Sequence, residues 1–470
     1  MARALGSVRR LLAPSPLVLR ALIIGLAVRL LLAPWTSYPY DAYPFYGAVV
    51  SSLAGTGPYG NVLFTYPPLF SAILFPFFWS VSQFMDPASF GAFVPAMIGV
   101  SRATGMIVPF VTSPAFNLLF KLPIIVGDAL VALTLHRAVD RWKGREAADT
   151  AFLVWFLNPL VIFVSSVHGQ FDALAAYCGL VGTLGFMDRR YLLSGLSLGL
   201  GVLLKLFPAY IILGLGVALL IQLHAALREG KRASALRPAL AFLGGGALSL
   251  LTIAPLLLRS RSFLDYIMRR GTYSSLGGMN AWFAAPLLSE GDGGGGAGSG
   301  VPFNTILLLL GIALALLVAY LVLRKGCEGE RPLLLSTAVL TVVMVTQAVT
   351  NPQHLLWLFP FLVLLSPTHP RMLPKMYALS ILGLLYLLCL QSGFVFLYPL
   401  AQFTGLVSVE ALNQGIEAFF IGTGGIRELV LSVLGGAGFL VLLTVPLPPR
   451  LDLMDRALAR IASGREGDEG

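Results

Sequence analysis

Residues 303–323 read FNTILLLLGIALALLVAYLVL, a run without one ionisable side chain. Such a run exceeds the roughly 20 residues that a helix needs to cross the hydrocarbon core of a bilayer. In water it would have to be buried whole, and the chain as a whole is strongly apolar. Of 470 residues, 57% are hydrophobic and only 11% charged, against about 25% charged in an ordinary soluble domain. A water-soluble protein is excluded, and the fold class read from the sequence is all-α, a polytopic membrane helical bundle. The 50 glycines and 30 prolines suit packed membrane helices, which tolerate both better than soluble helices do.

Outward from 303–323, basic clusters punctuate the apolar sequence at 3–10, 137–145, 189–190, 228–237, 324–331, 371–375 and 450–465. Basic residues mark cytoplasmic loops, so an even number of crossings should separate neighbouring clusters. This predicts twelve spans, at 17–34, 117–138, 150–167, 171–187, 191–206, 208–224, 238–257, 303–323, 332–349, 354–367, 376–396 and 427–446. Segments 66–84 and 92–112 raise the count to fourteen if both cross. Pro67, Pro68, Pro76, Pro95 and Pro109 favour short, broken helices there instead. Residues 35–116 are therefore expected to form a large first extracytoplasmic loop with short or interfacial helices. The whole chain, 1–470, reads as one integral membrane domain. It carries an Arg-rich and Gly-rich extracytoplasmic loop at 258–302 and a cytoplasmic tail at 447–470. The N-terminus is basic then apolar, like a signal peptide, but Arg20 and Arg29 interrupt it and no cleavage motif ends it, so a retained first helix is expected. The net charge of +10 then reports topology rather than a nucleic-acid partner. Cys178, Cys327 and Cys389 show no pairing pattern.

On this topology the polar interruptions share the outer face. They are Tyr40-Asp41-Ala42-Tyr43, His168-Gly169-Gln170-Phe171-Asp172, the segment 259–282 and Asn351-Pro352-Gln353-His354. Asp41 stands alone among aromatics and prolines, as a general base for a hydroxyl acceptor or as a turn aspartate. Lys205 in LLKLFP and Lys121 in KLPIIVGD sit at membrane depth, where an ionisable group must pair or bind something. They read as anion ligands or as snorkelling lysines, and Lys121 has Asp128 two turns away for a structural pair. Arg259, Arg261, Arg269 and Arg270 oppose the charge rule obeyed elsewhere, and guanidinium forks suit phosphate oxygens. Asp172 is placed to cap the helix that starts there. His168 and Asp172 form half of a metal site that no further ligand spacing completes, so no cofactor is called and a divalent metal is left unsupported. No GxSxG, P-loop or dinucleotide fingerprint occurs.

Taken in order, Tyr66-Pro67-Pro68-Leu69, KLPIIVGD, NPLVIFVSSVHGQFDAL, LLKLFP, Asn280-Ala281-Trp282 and NPQHLLWLFPFL form a pattern. It resembles the GT-C class of polyprenyl-phosphate-sugar-dependent membrane glycosyltransferases. The nearest likeness is to prokaryotic mannosyltransferases related to the GPI-anchor mannosyltransferases. The resemblance implies a GT-C-like bundle of about 12–14 transmembrane helices and an inverting transfer of a hexose, mannose first, to an acceptor hydroxyl. It also implies a cell-membrane protein, multi-pass, with its active site on the extracytoplasmic face. Asp41 takes the role of the base that deprotonates the acceptor. Lys205, His354 and the four arginines take the donor phosphate. Tyr66, Lys121, Asp128, His168, Gln170, Asp172, Asn280 and Trp282 become substrate-binding candidates. The implied partners are the lipid-linked donor, a lipid, glycan or protein acceptor, and membrane lipids. Many relatives carry an Asp-x-Asp pair in the first loop; this chain has Asp41-Ala42-Tyr43, a single carboxylate.

Two other classes compete. A transporter or flippase for a lipid-linked or anionic solute accounts for Lys121, Asp128 and Lys205, but needs polar groups running through to the opposite face. A noncatalytic scaffold would use the outer motifs to bind headgroups alone.

Overall fold

Serine or asparagine followed by proline opens several of the helices. Ser15 accepts a hydrogen bond from the Val18 amide as Pro16 starts the first turn. Ser113 does the same for Phe116 ahead of Pro114, and Asn158 for Leu160 and Val161 ahead of Pro159. The cap satisfies an orphan amide, and proline has none to satisfy. These signals belong to a computed structural model describing residues 15–60, 63–105, 107–230, 232–255, 276–288, 303–324, 326–423 and 425–445. Arg259, Arg261, Arg269 and Arg270, the glycine run of 291–300 and the expected tail at 447–470 lie outside the described residues.

The described chain is a bundle of helices, and one overlaps each of the twelve expected spans. The expected number of full crossings is not reached on length. Among the described residues, six helices are long and apolar enough to span a bilayer. A seventh is possible if Arg145–Phe156 and Pro159–His168, bent by 45°, count as one. Asp172–Met187, Tyr191–Leu204 and Arg331–Thr346 fall short. The physical reason is local: helices shorten where the polar motifs interrupt them. Tyr191–Leu204 stops at Lys205, whose backbone is extended, and Pro208 opens the next helix. Pro159–Ile162 passes into a π-helical turn, Phe163–His168, that Gly169 ends at a φ of 88°.

Segment 92–112 forms no span. It holds strand Gly91–Phe93, paired antiparallel with Phe110–Thr112, around a short helix Ile98–Thr104. Helices Pro39–Leu53 and Leu69–Ser82 precede it. A second, parallel ladder pairs Gly277–Gly278 with Val349–Thr350. It ties the Asn280 segment to the loop ahead of His354.

Close helix packing rests on small residues. A Cβ on Gly195 or Gly245 would strike the backbone of the opposing helix, so Tyr191–Leu204 and Arg232–Leu250 meet face to face. Small residues at such seams are how membrane helices gain contact without a hydrophobic drive. The outer surfaces are correspondingly apolar: Leu31, Leu240, Leu309 and Leu440 are all exposed.

Candidate active site

Asp41 sits in the first turn of Pro39–Leu53. Its Oδ2 accepts hydrogen bonds from His168 Nε2 at 2.7 Å and from Gln170 Nε2 at 2.6 Å. The π-helical turn and left-handed Gly169 aim those two side chains at one oxygen. A carboxylate oxygen only accepts, so Nε2 of His168 carries the proton in this contact. Both contacts fall on Oδ2, and the Asp41 side chain keeps 19% of its surface open while His168 is fully buried. Tyr38 meets the His168 ring edge-on at 5.5 Å. Burial, then the nearby Asp41 charge, pushes the Tyr38 phenol far above its ordinary range, so it stays protonated and does not compete as a base.

Gln170 carries the network onward. Its Oε1 accepts from Lys205 Nζ at 3.3 Å, and the same ammonium pairs with Asp172 Oδ2 at 2.7 Å. Asp172 is the first residue of its helix rather than the N-cap, which is Phe171, and its second oxygen accepts from Trp357 Nε1 at 2.6 Å. A buried ammonium draws the carboxylate more strongly than backbone amides do. Trp357 is stacked between Phe207, at 4.3 Å, and His354, at 4.2 Å. Gln347 Nε2 lies 3.3 Å from His354 Nδ1. Asp41, His168, Gln170, Lys205, Asp172, Trp357 and His354 therefore form one contiguous chain of contacts at one end of the bundle.

Aromatic rings wall this chain. The Lys205 ammonium lies over the Phe171 ring at 5.0 Å, and Phe171 stacks on Phe70 at 4.3 Å. Tyr66 packs edge-on to Phe171 at 5.4 Å and stacks on Phe45 at 4.9 Å. Asn280 and Trp282 lie one layer back. Asn280 donates to the Gln347 carbonyl at 2.7 Å, and Trp282 Nε1 donates to the Thr346 carbonyl at 3.4 Å.

Lys121 and Asp128 are not a pair. Asp128 Oδ2 binds Arg29 Nε at 2.9 Å, with both side chains fully buried. Arg29 also lies over the Phe156 ring at 4.3 Å. Lys121 is fully buried too, and its Nζ donates to neutral oxygens: Ala33 O at 3.2 Å, Ser166 O at 2.8 Å, Val167 O at 3.1 Å, and Thr36 O. Two turns along one helix set the two side chains on roughly one face, but each found a nearer partner on another segment. Neither is open to a ligand, which corrects the expectation that both contact substrate. Among the described residues, no group of three or more His, Cys, Asp or Glu side chains is placed to hold a metal ion.

Reading the sequence missed Trp357, three residues beyond His354 in the quoted NPQHLLWLFP motif, because an indole in an apolar run reads as core. Arg29 was noted only as an interruption. The signal was Asp128, which at membrane depth requires a cation, and Lys121 on the same helix was taken as that cation ahead of Arg29.

No protein-family profile matches the chain. Part of it aligns with curated proteins named GPI mannosyltransferase 1. That of Aspergillus fumigatus is 27% identical over 169 residues, 36% of this chain and 32% of that protein. That of Saccharomyces cerevisiae is 25% identical over 169 residues, 36% and 33% of the two. That of Emericella nidulans is 27% identical over 156 residues, 33% and 28%. The chain is similar to GPI mannosyltransferases. It spans about a third of the length of these curated relatives. Among solved structures, ArnT from Cupriavidus metallidurans bound to undecaprenyl phosphate covers 93% of this chain and 77% of its own, at 15% identity and a TM-score of 0.46.

Proposed function

We propose that the chain is an inverting glycosyltransferase of the GT-C class. It moves a hexose, mannose by the naming of its relatives, from a polyprenyl-phosphate donor to an acceptor hydroxyl at the extracytoplasmic membrane face. The acceptor is a lipid, glycan or protein. The observation that carries the reading is the contiguous chain from Asp41 through Gln170 and Lys205 to His354. It sets one partly open carboxylate and one ammonium on the two ends of a single glutamine amide. A base and a cation at that separation suit a reaction in which a proton leaves the acceptor as negative charge builds on a phosphate.

In that reaction the acceptor oxygen attacks the anomeric carbon on the face away from the phosphate. The new C–O bond forms as the bond to the phosphate oxygen breaks, and polyprenyl phosphate departs with the electron pair. The acceptor proton passes to Asp41, whose Oδ2 is held by His168 and Gln170 so that Oδ1 turns to the acceptor. Lys205 and His354 are the candidates to meet the departing phosphate, with Arg259, Arg261, Arg269 and Arg270 as further candidates from sequence. Such preorganised cations stabilise charge as it develops, and a placed base adds about 10²- to 10⁴-fold. Tyr66, His168, Gln170, Asp172, Asn280 and Trp282 then shape the pocket.

The test is a transfer assay with purified protein and radiolabelled polyprenyl-phosphate hexoses. Mannose transfer that Asp41→Asn abolishes while donor binding persists is the expected result. Transfer of no hexose from any such donor rejects the proposal, and full turnover by Asp41→Asn rejects the base.

A further inference from the structure

Lys121 takes no part in the contact chain above, yet few side chains are more engaged. Its ammonium is wholly buried and donates to carbonyls of two separate segments. Ala33 and Thr36 belong to the connection that leads from the first helix to Asp41. Ser166 and Val167 belong to the π-helical turn that leads to His168 and Gln170. Thr36 Oγ1 shares its proton between Leu32 O at 2.8 Å and Ser166 O at 3.1 Å, and lies 3.3 Å from Lys121 Nζ. One turn earlier on the same helix, Asn117 Nδ2 donates to Pro34 O at 3.2 Å.

A buried ammonium without a countercharge is costly. Carbonyl oxygens surround Nζ here and accept its hydrogen bonds, much as they would gather round a bound metal ion. The carbonyls are specific: each segment runs directly into a residue that holds or is the proposed base. Gly169 completes the arrangement, since a Cβ there would lie 3.1 Å from Lys121 Cε and 2.9 Å from the Phe120 ring. We infer that Lys121 is a positioning residue, whose ammonium ties the Asp41 connection to the His168 turn and so fixes the hydrogen bonds on Asp41 Oδ2. It touches no substrate, being closed to solvent on every side. The inference rests on the reading of Asp41 as the base, because only then does the tie govern turnover.

Lys121→Met keeps the apolar stem, ends one atom short of Nζ and removes the donors. A displacement of the base by about 1 Å costs up to about 10²-fold in rate. The expected result is a kcat lower by roughly 10- to 100-fold, with donor KM within about twofold of wild type. A second readout does not depend on turnover. The chain has 5 histidines, so ¹⁵N-histidine labelling, with His168→Asn for assignment, gives a resolvable His168 signal. In Lys121→Met that signal should move towards its position in Asp41→Asn. An unchanged kcat with an unmoved His168 signal overturns the inference. So does a loss confined to KM, which would make Lys121 a binding group. Should Lys121→Met not fold, Thr36→Val removes the bridging hydroxyl alone, with an expected kcat loss of roughly threefold to tenfold and the same direction of His168 shift. No change in either overturns the inference. If wild-type protein transfers no hexose, the functional reading fails, and the His168 signal still decides whether the tie exists.

Discussion

Lys205 and Lys121 carry the same signal in the sequence, a lysine inside an apolar run near one end of a helix, and the fold treats them differently. Lys205 follows the last turn of a helix, extended, with a carboxylate, an amide oxygen and an aromatic face around its ammonium. Lys121 sits inside a long helix, Pro114–Lys143, and is closed in by carbonyls of neighbouring segments. One region holds its charge in a network that ends at the partly open Asp41 carboxylate. The other spends its charge on holding backbone together. The difference teaches that a lone intramembrane lysine announces a need for oxygen partners, and that chain topology decides whether those partners are a site or a scaffold.

Breaking the Lys205 region at its working end should give the largest effect. Asp41→Asn removes the proposed proton acceptor and keeps the shape, so transfer should fall about 10²- to 10⁴-fold while donor binding, measured with a fluorescent polyprenyl phosphate, is retained. On the scaffold side, Arg29→Met leaves Asp128 buried without its cation. Losing one partner of such a pair costs about 3–5 kcal/mol, read as a lowered midpoint of unfolding in detergent, while the surviving folded protein should turn over normally. A fall in turnover at unchanged stability would erase the contrast between the two regions.

Lys205→Met sharpens the comparison with Lys121→Met. A hydrogen bond from a charged group is worth about 1.5–3 kcal/mol, so kcat/KM for the donor should fall roughly 10- to 100-fold with donor KM raised and kcat lowered together, where Lys121→Met should lower kcat at nearly unchanged KM. Finding the same kinetic signature for both would mean that the two lysines do one job. The smallest effect is expected at Gly169→Ala, between the regions. Its φ of +88° costs an L-residue about 1–2 kcal/mol, and the new methyl presses on Phe120 and Lys121. Steady-state assays should show kcat roughly threefold to tenfold lower with donor KM nearly unchanged.

Much of the architecture was legible because its cause is local. Apolar runs of sufficient length become helices in a bilayer whatever their neighbours, since a lipid core leaves the backbone no other partner. The Ser-Pro and Asn-Pro steps that open several helices were equally local signals, though the expected spans rest on apolar run length and charge alone. The lengths were less legible: Lys205 and Gly169 end helices early because the residues beside them serve a polar network, and hydropathy averages over that. The candidate residues were individually visible as polar interruptions. Their pairings were not, as Asp172 shows: its position at a helix start predicted a cap, and a lysine 33 residues later took the carboxylate.

The sequence by itself determined that this protein lives in a membrane as a helical bundle and that its polar motifs are few. Composition and apolar run length act residue by residue and need no long-range information. Only the tertiary structure decided which charges meet. It gave Asp128 to Arg29 rather than Lys121, set Trp357 against Asp172, and brought Asp41 to His168 and Gln170. Such choices follow from distances between segments far apart in the chain, and in a low-dielectric interior an ionisable group binds the nearest well-aligned partner regardless of its separation in sequence.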